Sequence, residues 1–138
     1  MAALVLDAQP LIAVIANEAL AEDVAARLES ALAAGDRLVI SSVNWCEVLY
    51  TTRRLLGSAV TRRAIDLMRR MPIAVIEAGE EHATYAAEMK ARHGLGLGDA
   101  FAAGLALALG APLLTGDADF LPLAVHGLEI DWVGSEER

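Results

Sequence analysis

The chain has 138 residues, of which 56% are hydrophobic, and its net charge is −8. This length is typical of one domain, so a single domain over residues 1–138 is expected. The acidic balance argues against loose binding of nucleic acid over the whole surface. The single cysteine, Cys46, excludes an internal disulfide and indicates a cytoplasmic protein. Its place beside Trp45 in a helical pattern indicates plain packing.

No contact with a membrane is expected from the distribution of apolar residues. The uncharged apolar segment over residues 101–115 is shorter than the roughly 20 residues that a membrane-spanning helix needs. The apolar N-terminus lacks basic residues and is interrupted by Asp7, which is not the pattern of a signal peptide.

Strand and helix patterns alternate along the chain. Short apolar runs predict five strands, at residues 2–7, 37–41, 73–78, 112–115 and 128–133. Helical periodicity predicts a helix that begins near Pro10, helices over 21–34, 42–56, 58–71, 80–92 and 100–109, and a short helical turn at 117–124. This alternation implies crossover connections, so we expect a three-layer α/β fold with a central, mostly parallel sheet flanked by helices.

Single residues predict several helix boundaries. Gly57 is expected to separate two helices, and Asn44 and Glu47 are spaced to form a capping box. The glycine-rich residues 93–98 are expected to form a loop, with Asp99 as the N-cap of the helix that follows. That helix is apolar on every side, which predicts that it is buried.

Four acidic residues stand where predicted strands end or helices begin. They are Asp7, Glu47, Asp99 and Asp117. Ligand sites of open parallel sheets form beyond the carboxyl ends of the strands, so all four carboxylates can reach one edge. Two carboxylates about 4 Å apart repel by roughly 4 kcal/mol at an effective dielectric of 20, so such a cluster favours bound cations. Ligand sets made only of oxygen select hard ions such as Mg²⁺ or Mn²⁺.

The same positions also suit helix capping, which is the simpler interpretation of each acid taken alone. Asparagine caps a helix as well as aspartate does, so capping predicts that Asp99→Asn is nearly neutral. A metal site predicts instead that this change removes metal binding.

A basic segment over residues 53–70 contrasts with the acidic remainder of the chain. It contains one acid, Asp66, and six arginines: Arg53, Arg54, Arg62, Arg63, Arg69 and Arg70. The segment is either a solvated helical hairpin or a surface that binds phosphates.

The acids and their neighbours, in this order, resemble the PIN-domain family and, more narrowly, the VapC-type toxin ribonucleases of toxin–antitoxin pairs. Four segments carry the resemblance: VLDAQPLIA, SSVNWCEVLY, LGLGDAFAAGLA and LLTGDADF. They are distributed over nearly the whole chain, and their combination at this chain length is more specific than any one of them.

The resemblance implies an endoribonuclease that depends on Mg²⁺ or Mn²⁺ and cleaves structured RNA, often transfer RNA. It implies four catalytic acids, namely Asp7, Glu47, Asp99 and Asp117, of which Asp7, Asp99 and Asp117 are the expected metal ligands. The polar positions expected around this pocket are Asp119, Thr115, Asn44 and Gln9.

The resemblance also implies a homodimer and a cognate antitoxin whose C-terminal segment blocks the active-site groove. Water is expected to attack the phosphate in line, leaving a 5′-phosphate and a 3′-hydroxyl, while Arg53 and Arg54 guide the RNA backbone.

Gln9 departs from the family pattern, which often has Ser or Thr two residues after the first Asp. Two alternatives therefore stay open. One is a PIN-fold interaction module with a catalytically silent pocket, which Gln9 supports. The other is a small α/β binding protein whose acids are only helix caps.

Overall fold

The computed structural model describes residues 2–134 of the chain. Within them, one sheet contains the strands β1 (Ala3–Leu6), β2 (Arg37–Ser41), β3 (Ile73–Ile76), β4 (Leu113–Thr115) and β5 (Ile130–Trp132). The helices are α1 (Ala8–Ile15), α2 (Ala21–Ala33), α3 (Ser42–Arg69), α4 (Glu80–His93) and α5 (Leu97–Leu109), followed by a 3₁₀ helix (Ala118–His126). Helices separate successive strands, as the alternating pattern predicts.

All paired strands are parallel, and their order across the sheet is β3-β2-β1-β4-β5. The register aligns Val5 of β1 with Val39 of β2 and with Leu113 of β4. From β1 the chain first builds the sheet towards β3 and later adds β4 and β5 on the other side. The boundary between β1 and β4 is therefore a topological switch point, where open α/β sheets bind ligands beyond the carboxyl ends of their strands.

The sheet is covered by helices on both faces, which confirms the predicted three-layer fold. Successive residues of β1 point to opposite faces. Val5 belongs to one buried cluster together with residues of α4, α5 and the 3₁₀ helix. Leu4 and Leu6 belong to a second cluster together with residues of α1, α2 and α3. Burial on both faces explains why this strand is apolar throughout.

Gly57 separates α3 into two helical segments that meet at a kink. Its backbone has φ 81° and ψ 167°, inside an otherwise helical stretch. Glycine adopts positive φ at little cost because it lacks a Cβ. The predicted separation of two helices at Gly57 is therefore confirmed, and α3 consists of these two helical segments.

The start of α3 at Ser42 is confirmed, but the predicted capping box and the predicted start of α5 are wrong. Ser41 is the N-cap of α3 and accepts a hydrogen bond from the Val43 amide at 3.2 Å, so Asn44 lies inside the helix and forms no capping box. Gly96, with extended backbone, is the N-cap of α5. Asp99 is therefore the third residue of that helix, and the loop predicted over 93–98 is shorter at both ends.

The middle of α5 is buried, as its apolar sequence predicts. Its buried residues are Ala100, Ala102, Ala103, Gly104, Leu105 and Ala106. None of the helices within residues 2–134 combines the length and the apolar character that crossing a membrane requires.

Candidate active site

Five carboxylates converge beside the switch point between β1 and β4, and we call this group the acidic pocket. Asp7 directly follows β1, and Asp117 lies two residues after β4. Glu47 is in the second turn of α3, and Asp99 is in the first turn of α5. Asp119 is in the first turn of the 3₁₀ helix. The fold thus brings together the four acids expected to be catalytic and Asp119, which was expected beside them.

Asp7 is the most buried acid of the pocket, at 3% exposure. Its Oδ1 accepts a hydrogen bond from the Ala8 amide at 2.9 Å, and its Oδ2 accepts one from the buried Thr115 hydroxyl at 2.8 Å. Burial and the nearby Asp99 carboxylate raise the pKa of Asp7 to about 7, against these two hydrogen bonds. Thr115 also accepts a hydrogen bond from the Asp117 amide at 3.1 Å, so it links the ends of β1 and β4.

Asp99, Asp117 and Asp119 are the acids whose oxygens come closest together. One carboxylate oxygen from each lies within 4.8 Å of the others, the spacing of a possible cation site among residues 2–134. Burial, followed by the charges of Asp117, Glu47 and Asp119, raises the pKa of Asp99 to about 6. Burial and the neighbouring negative charges both disfavour the ionised form of this carboxyl.

Glu47 is held against the start of α5 by Asn44 and Gly98. The Asn44 amide nitrogen donates to Glu47 Oε1 and to the Gly98 carbonyl, both at 2.9 Å. A Cβ added at Gly98 would lie 2.1 Å from Glu47 Oε1, so only glycine leaves room for this carboxylate. Asn44 is fully buried, and its Oδ1 has no hydrogen-bond partner among the described residues.

A groove of about 650 Å³ opens beside the acidic pocket, between α3 and the start of α5. Glu47 and Asp99 contribute to it from the acidic side. The remaining lining residues are Ser42, Val43, Cys46, Tyr50, Gly96, Leu97 and Gly98. An open groove of this size, with carboxylates at its edge and apolar side chains along its walls, can receive one or two units of a polymeric substrate.

Three other predicted residues lie apart from the five carboxylates, and Arg53 borders a different depression on α3 together with Ser58 and Arg62. Gln9 Oε1 is buried without a hydrogen-bond partner among the described residues, and a Cβ added at Gly116 would lie 3.4 Å from it. Arg53 and Arg54 are exposed on α3. The Arg54 guanidinium lies over the Tyr50 ring, 5.8 Å from its centroid.

Helix capping explains the positions of only two of the four acids. Asp7 is the N-cap of α1, and Asp117 is the N-cap of the 3₁₀ helix, where it accepts from the Asp119 amide at 2.9 Å. Glu47 and Asp99 lie inside their helices, so capping does not account for them. The interpretation of all four acids as caps alone is therefore wrong.

The sequence interpretation missed three residues of the groove. Gly98 was placed in a loop, although a glycine directly before a site aspartate is a signal of close backbone approach. Cys46 was expected to be packed, but it is exposed and lines the groove. Tyr50 lies three residues after Glu47, a spacing that puts both side chains on one face of a helix.

The PIN domain family matches residues 4–125 of the chain. No curated protein matches the chain significantly by sequence. Similar solved structures include VapBC2 from Rickettsia felis bound to a DNA fragment from its promoter, with a TM-score of 0.80 and 18% identity over 96% of this chain and 99% of that chain.

Two further structures have the same fold. A DNA-bound VapBC from Salmonella typhimurium has a TM-score of 0.70 and 21% identity, over 95% of this chain and 98% of that chain. The VapC20 toxin of Mycobacterium tuberculosis, described as cleaving the sarcin–ricin loop, has a TM-score of 0.69 and 17% identity, over 86% of this chain and 93% of that chain. The structural similarity shows the fold that these toxins share, and the family match over residues 4–125 shows that the chain belongs to the PIN domain family.

Proposed function

We propose that the protein is a metal-dependent endoribonuclease and the toxin of a toxin–antitoxin pair. The observation that carries this proposal is the convergence of five carboxylates at the switch point of a PIN-domain sheet. The fold shared with VapC20, a toxin that cleaves the sarcin–ricin loop, supports the nuclease assignment. The fold shared with VapBC complexes supports the toxin assignment and a cognate antitoxin as partner.

The donor set of the acidic pocket fits a hard divalent cation. All its charged donors are carboxylate oxygens, which suits Mg²⁺ or Mn²⁺. Asp99, Asp117 and Asp119 form the closest group. Asp7 also remains available, because each carboxylate oxygen can accept a second interaction beyond its hydrogen bond to Ala8 or Thr115. A bound divalent cation polarises phosphoryl oxygens and lowers the pKa of water.

In this proposal, the residues of the chain orient the phosphate and the attacking water. Asp7, fixed by Thr115 and the Ala8 amide, supplies a rigid carboxylate at the end of β1. Glu47, fixed by Asn44, accepts a hydrogen bond from the attacking water. Water attacks the phosphorus in line with the departing 3′ oxygen, so the products carry a 5′-phosphate and a 3′-hydroxyl.

The remaining parts of the proposal concern partners. The substrate is structured RNA, with transfer RNA as one candidate. The protein acts in the cytoplasm as a homodimer until a cognate antitoxin covers the groove beside the acidic pocket. The solved VapBC complexes at 18% and 21% identity support an antitoxin that binds this fold.

Thermal melts of the wild type and Asp99→Asn, in EDTA and with rising Mn²⁺, test the metal site first. Binding to the native state alone raises stability by RT ln(1 + [L]/Kd), so the wild-type Tm should rise with Mn²⁺ concentration. Asp99→Asn should lose this rise and should be the more stable protein in EDTA, because one repelling charge is removed. Asp23→Asn is the matched control, since Asp23 is likewise the third residue of its helix but is exposed.

Cleavage of a structured RNA mixture in Mn²⁺ then tests the activity. The wild type and Asp23→Asn should cleave it, and Asp99→Asn should not. If all three proteins melt alike in every condition and none cleaves RNA, the acidic pocket is not a metal site. The PIN-fold interaction module would then be the better assignment.

A further inference from the structure

The groove beside the acidic pocket contains an aromatic residue that hydrolysis itself does not use. Tyr50 lines the groove and is 48% exposed, and Leu97, from the start of α5, lines it at 60% exposure. Tyr50 follows Glu47 by three residues, so the ring lies one helical turn from a carboxylate of the acidic pocket. A large aromatic side chain that is this exposed stabilises the fold much less than a buried one would.

Arg54 adds a positive charge to this aromatic surface. Its guanidinium lies 5.8 Å from the centroid of the Tyr50 ring, within the range of a cation–π contact. Arg54 follows Tyr50 by four residues, so ring and cation are stacked along one face of α3. This contact restrains the ring and places a positive charge next to the part of the groove that Tyr50 lines.

We infer that Tyr50 stacks on the base of a nucleotide next to the scissile phosphate, while Arg54 contacts the phosphate that follows it. This inference rests on the proposed ribonuclease function and names the form of RNA that the groove accepts. Grooves that bind single-stranded nucleic acid combine aromatic rings for the bases with cations for the backbone. Tyr50, Leu97 and Arg54 supply this combination beside the acidic pocket.

The charges favour a nucleotide over a peptide as the occupant of this part of the groove. A peptide side chain could also pack on Tyr50 and Leu97, as an antitoxin would, but it supplies no phosphate for a cation held by the acidic pocket. A nucleotide supplies the apolar base face and the phosphate together. The groove, at about 650 Å³, is large enough for such a unit.

Stacking on Tyr50 requires an unpaired base. Bases within an A-form helix are stacked on each other, whereas bases in loops and bulges can turn outwards onto aromatic side chains. The nucleotide beside the cleaved bond should therefore lie in a loop or bulge of the RNA.

The test uses a pool of hairpin RNAs with a randomised loop, cleaved in Mn²⁺ by four proteins and mapped by sequencing the cleavage sites. The proteins are the wild type, Tyr50→Leu, Tyr50→Phe and Tyr85→Leu. Tyr50→Leu keeps apolar volume but removes the ring, and Tyr50→Phe keeps the ring. Tyr85→Leu is the matched control, because Tyr85 is a comparably exposed tyrosine on α4, at 41%.

The wild type should cleave within loops. Tyr50→Leu should lower kcat/KM by about 10- to 100-fold, mainly through KM, as expected for the loss of one base–aromatic stack. It should also change which loop nucleotide is cut. Tyr50→Phe should restore most of the rate and the wild-type site, and Tyr85→Leu should match the wild type. All four proteins should show the same Mn²⁺-dependent rise in Tm.

Other outcomes overturn the inference in distinguishable ways. If Tyr50→Leu cleaves the same nucleotides as the wild type at an equal rate, base stacking is wrong and the ribonuclease function stands. If Tyr50→Leu cleaves normally but loses affinity for a partner protein, the ring belongs to a protein interface. If the wild type binds Mn²⁺ but cleaves no RNA in the pool, the proposed function and this inference both fail.

Discussion

Asp7 carries a proton in a pH range where most aspartates are ionised, because burial and the charge of Asp99 raise its pKa from 3.8 to about 7. The pKa is higher in the folded protein than in the unfolded chain, so this proton stabilises the fold. In EDTA, we expect the contribution to be fully present below about pH 4 and to be lost as the pH rises through about 7. The pKa of Asp99 is likewise raised, to about 6, so its contribution to stability is also lost as the pH rises.

Thermal melts in EDTA from about pH 4 to about pH 8 measure this effect. The Tm of the wild type should fall across this range more steeply than that of Asp7→Asn, whose amide does not titrate. Mn²⁺ should reduce the fall, because a bound cation stabilises the ionised carboxylates of the native state. Parallel curves for the two proteins in EDTA would contradict the protonation of Asp7.

Gly98 is needed for the position of Glu47 rather than for the fold. In Gly98→Ala, the new Cβ would overlap the Glu47 carboxylate, which is the mobile end of a long side chain and can move away. We expect stability within about 1 kcal/mol of the wild type, since alanine also favours the helix. Activity and the affinity for Mn²⁺ should fall, because the hydrogen bond from Asn44 holds Glu47 in its present place.

Activity assays and chemical denaturation separate these two effects. Gly79→Ala is the control, since Gly79 is the N-cap of α4 and a Cβ there meets no atom within 4 Å. Full activity of Gly98→Ala would show that Glu47 has no fixed role.

The packing of α5 against α4 depends on small residues. A Cβ added at Gly104 would lie 2.9 Å from the His82 carbonyl oxygen and 3.1 Å from the Ala86 amide nitrogen. These are backbone atoms of α4, so they cannot move aside as the Glu47 carboxylate can. Gly104→Ala should therefore lower the free energy of unfolding by about 1–3 kcal/mol through overpacking.

Urea denaturation of Gly104→Ala and Gly98→Ala compares the stability of two variants that carry the same substitution in the same helix, α5. Gly104→Ala should be the less stable protein and should still show a rise in Tm with Mn²⁺, because the acidic pocket is intact. Equal stability of the two variants would mean that α4 and α5 can separate without cost.

The order of elements was predictable from the sequence, because apolar runs and helical periodicity are local signals. The start of α5 was not predictable, because extended backbone at Gly96 begins the helix before Asp99, the best capping residue nearby. The role of Asn44 was missed for a related reason. Its partners are Glu47 in the same helix and Gly98, which is 54 residues away, and no local pattern reports that second contact.

The acids of the site were predictable because parallel strands end at one edge, so residues after β1 and β4 must meet there. It was less predictable which of these acids would lie closest together. The expected metal ligands were Asp7, Asp99 and Asp117, whereas the closest carboxylate oxygens belong to Asp99, Asp117 and Asp119, which the 3₁₀ helix positions. Contacts made by tight turns depend on backbone geometry, which the pattern of residues does not determine.

Charge is distributed unevenly over the entire chain. The net charge is −8, yet six arginines lie within residues 53–70, beyond the groove on α3. An RNA strand that reaches the acidic pocket must approach a negative protein, so the arginines nearest the groove should provide most of the local attraction. Arg53 and Arg54 follow Tyr50 by three and four residues, whereas Arg63 and Arg70 lie beyond the kink at Gly57.

Replacing Arg53 and Arg54 with glutamine should weaken RNA binding for all sequences and flatten its dependence on salt. Each lost phosphate contact reduces the slope of log K against log salt by about 0.7 for a single strand, so two lost contacts reduce it by about 1.4. The binding of a hairpin RNA at several salt concentrations, measured in the cleavage-deficient Asp99→Asn background, gives this slope. The double change of Arg63 and Arg70 to glutamine is the matched control, since both lie beyond the kink at Gly57 and border a separate surface with Asp66 and Leu67. An equal loss of slope in both double variants would mean that RNA contacts the full length of α3, rather than only the part next to the groove.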